Sequence, residues 1–292
     1  MYEEGEGVPQ SYEEATKWFL KSADQDNSEA ENNLGYCYYN GNGVEQSYEE
    51  AVMWWRKSAD QGNADAQYQL GTMYDEGEGV SQSSEEAVKW YRLAADQDHA
   101  EAQNRLGEMY EEGEGVPQSF EKAMNWYRKA ADQGNAEAQY NIGCLYESGA
   151  GVDQSFEEAA KWYRMAAEQG DADAQFELGV RYDCGEGVPR SDVESAKWFR
   201  MAAEQDHSLA QYNLGVMYEK GDGVEQSYSE AMKWYLKAAE QEDDAAQYRL
   251  GKMYEEGRGV QKSISEARKW YQMAAELGCE KAEEKLNHLN LE

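Results

Sequence analysis

The chain is poor in what a polyanion binder, a membrane span or a disulfide framework would need. Lys and Arg total 27 against 59 Asp and Glu, for a formal net charge of −32, and no basic run occurs anywhere. Nucleic-acid binders cluster Lys and Arg on one face, and a field of this sign repels DNA, RNA and anionic membrane surfaces. It favours partners that carry basic segments. No apolar run approaches the length of a membrane span, and the N-terminal residues do not read as a signal peptide. The four cysteines, Cys37, Cys144, Cys184 and Cys279, show no C-x-x-C spacing, and no N-x-S/T acceptor occurs. Free thiols in a reducing, cytoplasmic setting are therefore expected. Prolines stand only at Pro9, Pro117 and Pro189. What the chain does have is core material: 40% hydrophobic residues, with 9 Trp and 22 Tyr, which argues against disorder.

That material is periodic. Trp recurs at 18, 54, 90, 126, 162, 198, 234 and 270, always 36 residues apart, and glycine pairs from Gly5/Gly7 to Gly257/Gly259 keep the same step. A fixed period of this size signals a solenoid in which each repeat packs on its neighbours. The expected organisation is one solenoid domain over 1–292. It comprises a partial unit over 1–27, seven helix hairpins over about 28–279 and a capping helix over 280–292. Met1-Tyr2 stands in phase with Met73-Tyr74, so the chain is expected to enter at the end of a first helix.

Within one unit, Asn63 is a good N-cap, and Ala66, Leu70, Met73 and Tyr74 follow helical spacing. The Leu70-Gly71 pair recurs from Leu34-Gly35 to Leu250-Gly251, with Ile142 for Leu in one unit, which predicts close approach of a neighbouring helix. Gly77 ends the pattern as a C-cap. A loop follows whose Val80 is expected to plug the core. Ser83 and Glu86 read as a capping box that opens the second helix, with Ala87, Trp90, Tyr91, Ala94 and Ala95 as its inner face. Two such helices make an antiparallel hairpin, and the fold class is all-α.

The unit A-x-A-Q-Y-x-L-G-x-M-Y-E-x-G-x-G-V-x-x-S-x-x-E-A-x-K-W-Y-x-x-A-A-x-Q-G-x resembles the Sel-1-like repeat, a relative of the tetratricopeptide repeat. The resemblance implies an α/α solenoid with right-handed, TPR-like superhelical stacking and first helices lining the concave side. It also implies a non-catalytic scaffold or adaptor role, with a protein or peptide segment bound in the concave groove.

Helical geometry and the resemblance place three rows on that groove. The first runs Glu29, Asp65, Glu101, Glu137, Asp173, Leu209, Ala245, Lys281. The second runs Asn32, Tyr68, Asn104, Tyr140, Phe176, Tyr212, Tyr248, Glu284. The third runs Tyr36, Thr72, Glu108, Cys144, Val180, Val216, Lys252, His288. Acids at Asp75, Glu111, Glu147, Asp183, Glu219 and Glu255 flank them. Where the acids thin out, Phe176, Val180, Leu209, Tyr212, Val216, Ala245 and Tyr248 are expected to form one apolar patch, bounded by Lys252. Aromatic anchors in a recessed surface are where binding energy concentrates. The expected partner is a protein or peptide with an apolar or aromatic segment and basic flanks. The competing account of the Tyr row is packing between repeats. For Val180, Leu209 and Val216 packing is the weaker account, because other units hold Glu, Thr or Lys there. Self-association through the N-terminal face, where Trp18 and Phe19 lack a preceding repeat, is a further expectation.

Catalytic patterns are few. Ser119-Phe-Glu-Lys122 matches the acylating S-x-x-K, but Ser119 stands in the N-cap position of every unit and neither K-T-G nor S-D-N follows. His99 and His207 lie three units apart and cannot share a metal, and His288 has no supporting ligands. The Gly-Glu-Gly-Val loop has no Lys for a phosphate, and no D-x-D-x-D-G spacing for calcium occurs. Neither a cofactor nor a metal is expected.

Overall fold

A computed structural model describes residues 9–289; the phase of Met1-Tyr2 lies outside them. Among the described residues there are sixteen α-helices and no strand. Contacts divide the chain into two compact units, Met1–Leu145 with Ala150–Asp153, and Tyr146–Gly149 with Gln154–Glu292.

The first unit holds α1 (Tyr12–Ala23), α2 (Ser28–Asn40), α3 (Tyr48–Asp60), α4 (Ala64–Glu76), α5 (Ser84–Ala95), α6 (Ala100–Glu112), α7 (Phe120–Asp132) and most of α8 (Ala136–Ser148). The second holds α9 (Phe156–Glu168), α10 (Ala172–Cys184), α11 (Asp192–Glu204), α12 (Ser208–Lys220), α13 (Tyr228–Glu240), α14 (Asp244–Glu256), α15 (Ile264–Glu276) and α16 (Glu280–Leu289). Within each unit a helix packs mainly on the helices before and after it, as a repeat solenoid requires.

The hairpin of α4 and α5 shows why the repeat folds as it does. Asn63 Oδ1 accepts from Ala66 N–H at 2.9 Å and starts α4. Gly77, at φ 75°, ends it by donating its N–H to Met73 O, a left-handed cap that costs glycine little. Leu70 and Met73 are fully buried. A Cβ on Gly71 would lie 2.6 Å from the Tyr91 ring, so the L-G pair marks the closest approach of α4 to α5. Gly79 (φ 66°) lets the loop approach the start of α3, where a Cβ would stand 2.5 Å from the Tyr48 carbonyl.

Three expectations about the second helix need correction. First, the buried stripe of α5 is Ala87, Val88, Tyr91, Ala94 and Ala95. Trp90 is half-buried and covers the edge of the preceding core, formed by Ala51, Val52, Trp55, Leu70 and Met73. From Trp54 on, the residue after each periodic Trp is the central one: Trp55, Tyr91, Tyr127, Tyr163, Phe199, Tyr235 and Tyr271 are all buried, while Phe19 after Trp18 is half-buried. Burial of one such ring contributes roughly 1.5–3 kcal/mol. Second, Ser83 caps α5 by accepting from Glu86 N–H, but the reciprocal half of the box is absent. The Ser83 N–H instead donates to Tyr74 O across the loop, at 2.8 Å. Glu86 is left to pair with Lys89, one turn on. Third, Val80 is half-buried at the rim of the core rather than a plug within it.

A feature not read from sequence ties successive hairpins together. Gln67 donates to Ala59 O and accepts from Gln97, and Gln103 does the same with Ala95 O and Gln133. In the second unit Gln175 and Gln211 repeat it with Gln205 and Gln241. These amides are buried, and a buried amide is stable only when its hydrogen bonds are made.

Candidate functional site

The rows of first-helix residues sit on a scaffold of aromatic packing. In the first unit Tyr68 stacks on His99 at 4.8 Å between ring centroids and tilts against Tyr91 at 5.7 Å. Tyr140 is half-buried. In the second unit Phe176 stacks on His207 at 4.6 Å and tilts against Phe199. Tyr212 meets Tyr235 and Tyr248 meets Tyr271, each tilted, at 5.8 and 5.6 Å. Tyr68, Phe176, Tyr212 and Tyr248 are each half-buried against the ring of the following helix. His99 and His207 are helix N-caps whose Nδ1 accepts from Ala102 and Ala210 N–H. Their Nε2 atoms face Asp65 and Asp173 at 3.3 Å.

The expected patch separates into packed and exposed members. Val180 packs against the core of α11 and α12, and Val216 against that of α13 and α14. Both are half-buried, as are Phe176, Tyr212 and Tyr248, which pack on the same or the next core, so packing accounts for part of every one of these side chains. The helix period places them on the recognition face, where each is partly in contact with the core of the next hairpin. Leu209 differs: it is 52% exposed in a position that holds an acid in five preceding first helices. Ala245, Tyr248 and Lys252, on α14, are half-exposed.

The flanking acids are largely committed. Tyr127 donates its hydroxyl to Glu111 at 2.7 Å, Tyr163 to Glu147 at 2.7 Å, Tyr235 to Glu219 at 2.8 Å, and Tyr271 to Glu255 at 2.5 Å. Where the partner is Phe199, which has no hydroxyl, Asp183 is exposed. Burial, reinforced by the acid, pushes the hydroxyls of Tyr127, Tyr235 and Tyr271 far above their ordinary pKa. Burial opposes ionisation of Glu255 too, but the Tyr271 hydroxyl and Lys285 at 2.9 Å hold its carboxyl below the usual range. Glu147 also meets Arg181, a buried arginine in the position of Met73 and Met109, at 3.0 Å.

A cleft of about 610 Å³ opens among α12, α14 and the start of α16. Tyr212, Ala245, Tyr248 and Lys252 line it, together with Arg249 and Lys281. Sequence reading did not single out Arg249. It follows Tyr248 by one residue, and its guanidinium reaches back to the Tyr212 hydroxyl and to Glu219, at 3.5 Å. Gln69, at the equivalent position, likewise donates to a tyrosine of the preceding first helix, Tyr36.

Ser119 is an N-cap, accepting from Lys122 N–H at 3.4 Å, while the Lys122 ammonium lies over the Tyr110 ring. Among the described residues no group of three or more His, Cys, Asp or Glu side chains could hold a metal ion, and no helix is long and apolar enough to cross a membrane.

Stacked 36-residue helix hairpins with these glycine approaches define an all-helical repeat protein. The Sel1 repeat family model matches residues 1–27 and then each successive block from 28–63 to 244–279. The chain belongs to the Sel1 repeat family, whose members in general mediate protein–protein interaction. Among solved structures it is similar to a protective antigen of uropathogenic Escherichia coli with an SLR fold. Identity is 38% and the TM-score 0.91, over 99% of this chain and 62% of that one. This chain thus spans under two thirds of that protein. It is also similar to a Sel1 repeat protein from Oxalobacter formigenes, with 35% identity and a TM-score of 0.71, over 84% of this chain and 96% of that one. No curated protein matches the chain.

Proposed function

We propose that the chain is a non-catalytic interaction scaffold that binds an apolar or aromatic protein segment on the first-helix face of its second unit, centred on Leu209, Tyr212, Ala245 and Tyr248. The observation that carries this reading is Leu209. An apolar side chain left half in water, where five other first helices hold Glu or Asp, adds nothing to the fold and offers an anchor to a partner. The adjoining Tyr212 and Tyr248 rings are fixed by their neighbours. A partner meeting them loses little side-chain entropy on their account.

The test is affinity capture with the wild-type protein and with Leu209→Glu/Ala245→Glu. Both substitutions restore the acidic character the row has in other repeats, so the variant is expected to fold. Proteins retained by the wild type and lost by the variant support the reading. The same proteins retained by both refute it.

A further inference from the structure

The acid near the end of α10 differs from its counterparts in other repeats. In four hairpins a glutamate at this position accepts the hydroxyl of the tyrosine sixteen residues later: Glu111 from Tyr127, Glu147 from Tyr163, Glu219 from Tyr235 and Glu255 from Tyr271. Asp75, with a shorter side chain, still stands 3.5 Å from the Tyr91 hydroxyl. At Asp183 both halves of the pair are changed, since the acid is the shorter one and Phe199 has no hydroxyl. Asp183 is exposed and makes no hydrogen bond or ion pair among the described residues. Helical spacing puts it on one face of α10 with Asp173, Phe176 and Val180. That face has a half-buried apolar middle and an exposed acid at each end. Asp173 faces the His207 Nε2 at 3.3 Å, so Asp183 is the uncommitted one.

The charge around it is complementary to a base. Arg181 is buried against Glu147 and Glu186. Arg190 pairs with Asp192 at 3.2 Å, and Lys220 faces Asp222 at 3.9 Å. On α10, Asp173, Glu177 and Asp183 stand against Arg181 alone, and on α12 Glu219 balances Lys220, so the two helices together carry a net charge of −2. The C-terminal end of α10 adds a partial negative charge beside Asp183.

The geometry points to a docking subsite for one basic side chain: a partner segment seats its apolar residue against Leu209 and Tyr212 on α12 and a Lys or Arg side chain against Asp183 on α10. This rests on the groove reading above and gives the expected basic flank a place. A base bound there displaces no internal partner, whereas one bound to Glu219 or Glu255 competes with a tyrosine hydroxyl. Neighbouring first helices lie about 10 Å apart, and the rise from Asp173, the counterpart of Leu209, to Asp183 is about 15 Å. Anchor and base are thus about 18 Å apart, a span that an extended segment crosses in about five or six residues.

The experiment is selection of peptides from a random library of about 12 residues by the full chain at about 0.15 M salt, followed by fluorescence anisotropy with a selected peptide. Enrichment of an apolar residue with Lys or Arg about five or six positions away is expected. An acidic protein attracts bases non-specifically, so two variants separate contact from field. Asp183→Asn removes the charge at an exposed position. Asp183→Glu/Phe199→Tyr keeps the charge but rebuilds the committed pair of Glu219 and Tyr235, and circular dichroism checks that both variants fold. Changing the peptide's Lys or Arg to Gln should weaken binding to the wild type about fivefold, the upper end for an exposed ion pair. The same change should have no effect on binding to either variant. A base that still contributes about fivefold with Asp183→Asn, or with the rebuilt pair, overturns the subsite and leaves the groove standing. Peptides whose binding ignores Leu209→Glu, or no enrichment at all, overturn both.

Discussion

Glu31 occupies the position that holds Gln67, Gln103, Gln139, Gln175, Gln211 and Gln247 in the other hairpins, and it is only 3% exposed. The substitution Glu31→Gln therefore tests the amide ladder within the first unit. Gln67, Gln103, Gln175 and Gln211 each make two bonds, donating to a carbonyl eight residues earlier and accepting from a glutamine thirty residues later. Ionised Glu31 can accept from Gln61, as it does, but it cannot donate to Ala23 O. That carbonyl keeps only the Asp26 N–H. Burial pushes the Glu31 carboxyl above its ordinary value, against the opposing pull of Lys57. A carboxyl raised in the folded state favours folding below its unfolded value, about 4.3, and loses that contribution as pH rises through the folded value. At pH 7 the wild type carries the ionised cost and the amide does not. One restored hydrogen bond contributes about 0.5–1.5 kcal/mol, so Glu31→Gln should be more stable by about 1 kcal/mol at pH 7. Near pH 4 a protonated Glu31 can donate as the amide does, and the difference should vanish. Urea unfolding followed by tryptophan fluorescence at both pH values reads the total. Hydrogen exchange in α2 and α3 reads the local part, because repeats can open separately. A variant no more stable at pH 7, or a gain that does not change with pH, refutes the reasoning.

Gly71→Ala should destabilise by about 1–3 kcal/mol, since its Cβ meets the buried Tyr91 ring at 2.6 Å and a packed ring cannot yield; chemical denaturation measures it. Leu209→Glu should leave stability within about 0.5 kcal/mol, as expected for an exposed position, and circular dichroism melting checks this. The hydroxyls of Tyr91, Tyr127, Tyr235 and Tyr271 are raised by burial. The stability they contribute is fully present below their unfolded value, about 10, and is lost as pH rises through the folded one. In an ultraviolet titration these phenols should ionise only together with alkaline unfolding, while exposed tyrosines ionise first. A single smooth transition near the ordinary value, with the helices intact, would contradict their burial.

Most of the fold was legible because each repeat is a copy that can be compared with the others. Leu70-Gly71 announced a close approach, and Asn63, Gly77 and Ser83 announced helix ends. Periodicity could not separate Trp90 from Tyr91, since neighbouring residues straddle the edge of one face and the hairpin's packing decides which is buried. The capping box was half right, because a carbonyl from across the loop takes the Ser83 N–H, and no local pattern reveals that. On the candidate surface, Leu209, Tyr212 and Val216 share a helix face by spacing, yet only contact with α13 and α14 shows that Tyr212 and Val216 are partly packed while Leu209 is exposed. Arg249 escaped because it lies beside the rows, and its importance comes from what it reaches on α12.

The central claim is that a partner lies on the first helices of the second unit. Hydroxyl-radical footprinting of the protein, with and without a partner retained in the capture experiment, tests this residue by residue. The account predicts lower oxidation of Leu209, Tyr212 and Tyr248 on binding, with Met165, Trp270 and Met273 on the second helices unchanged. Protection of Met165, Trp270 and Met273 with Leu209, Tyr212 and Tyr248 unaffected would contradict it.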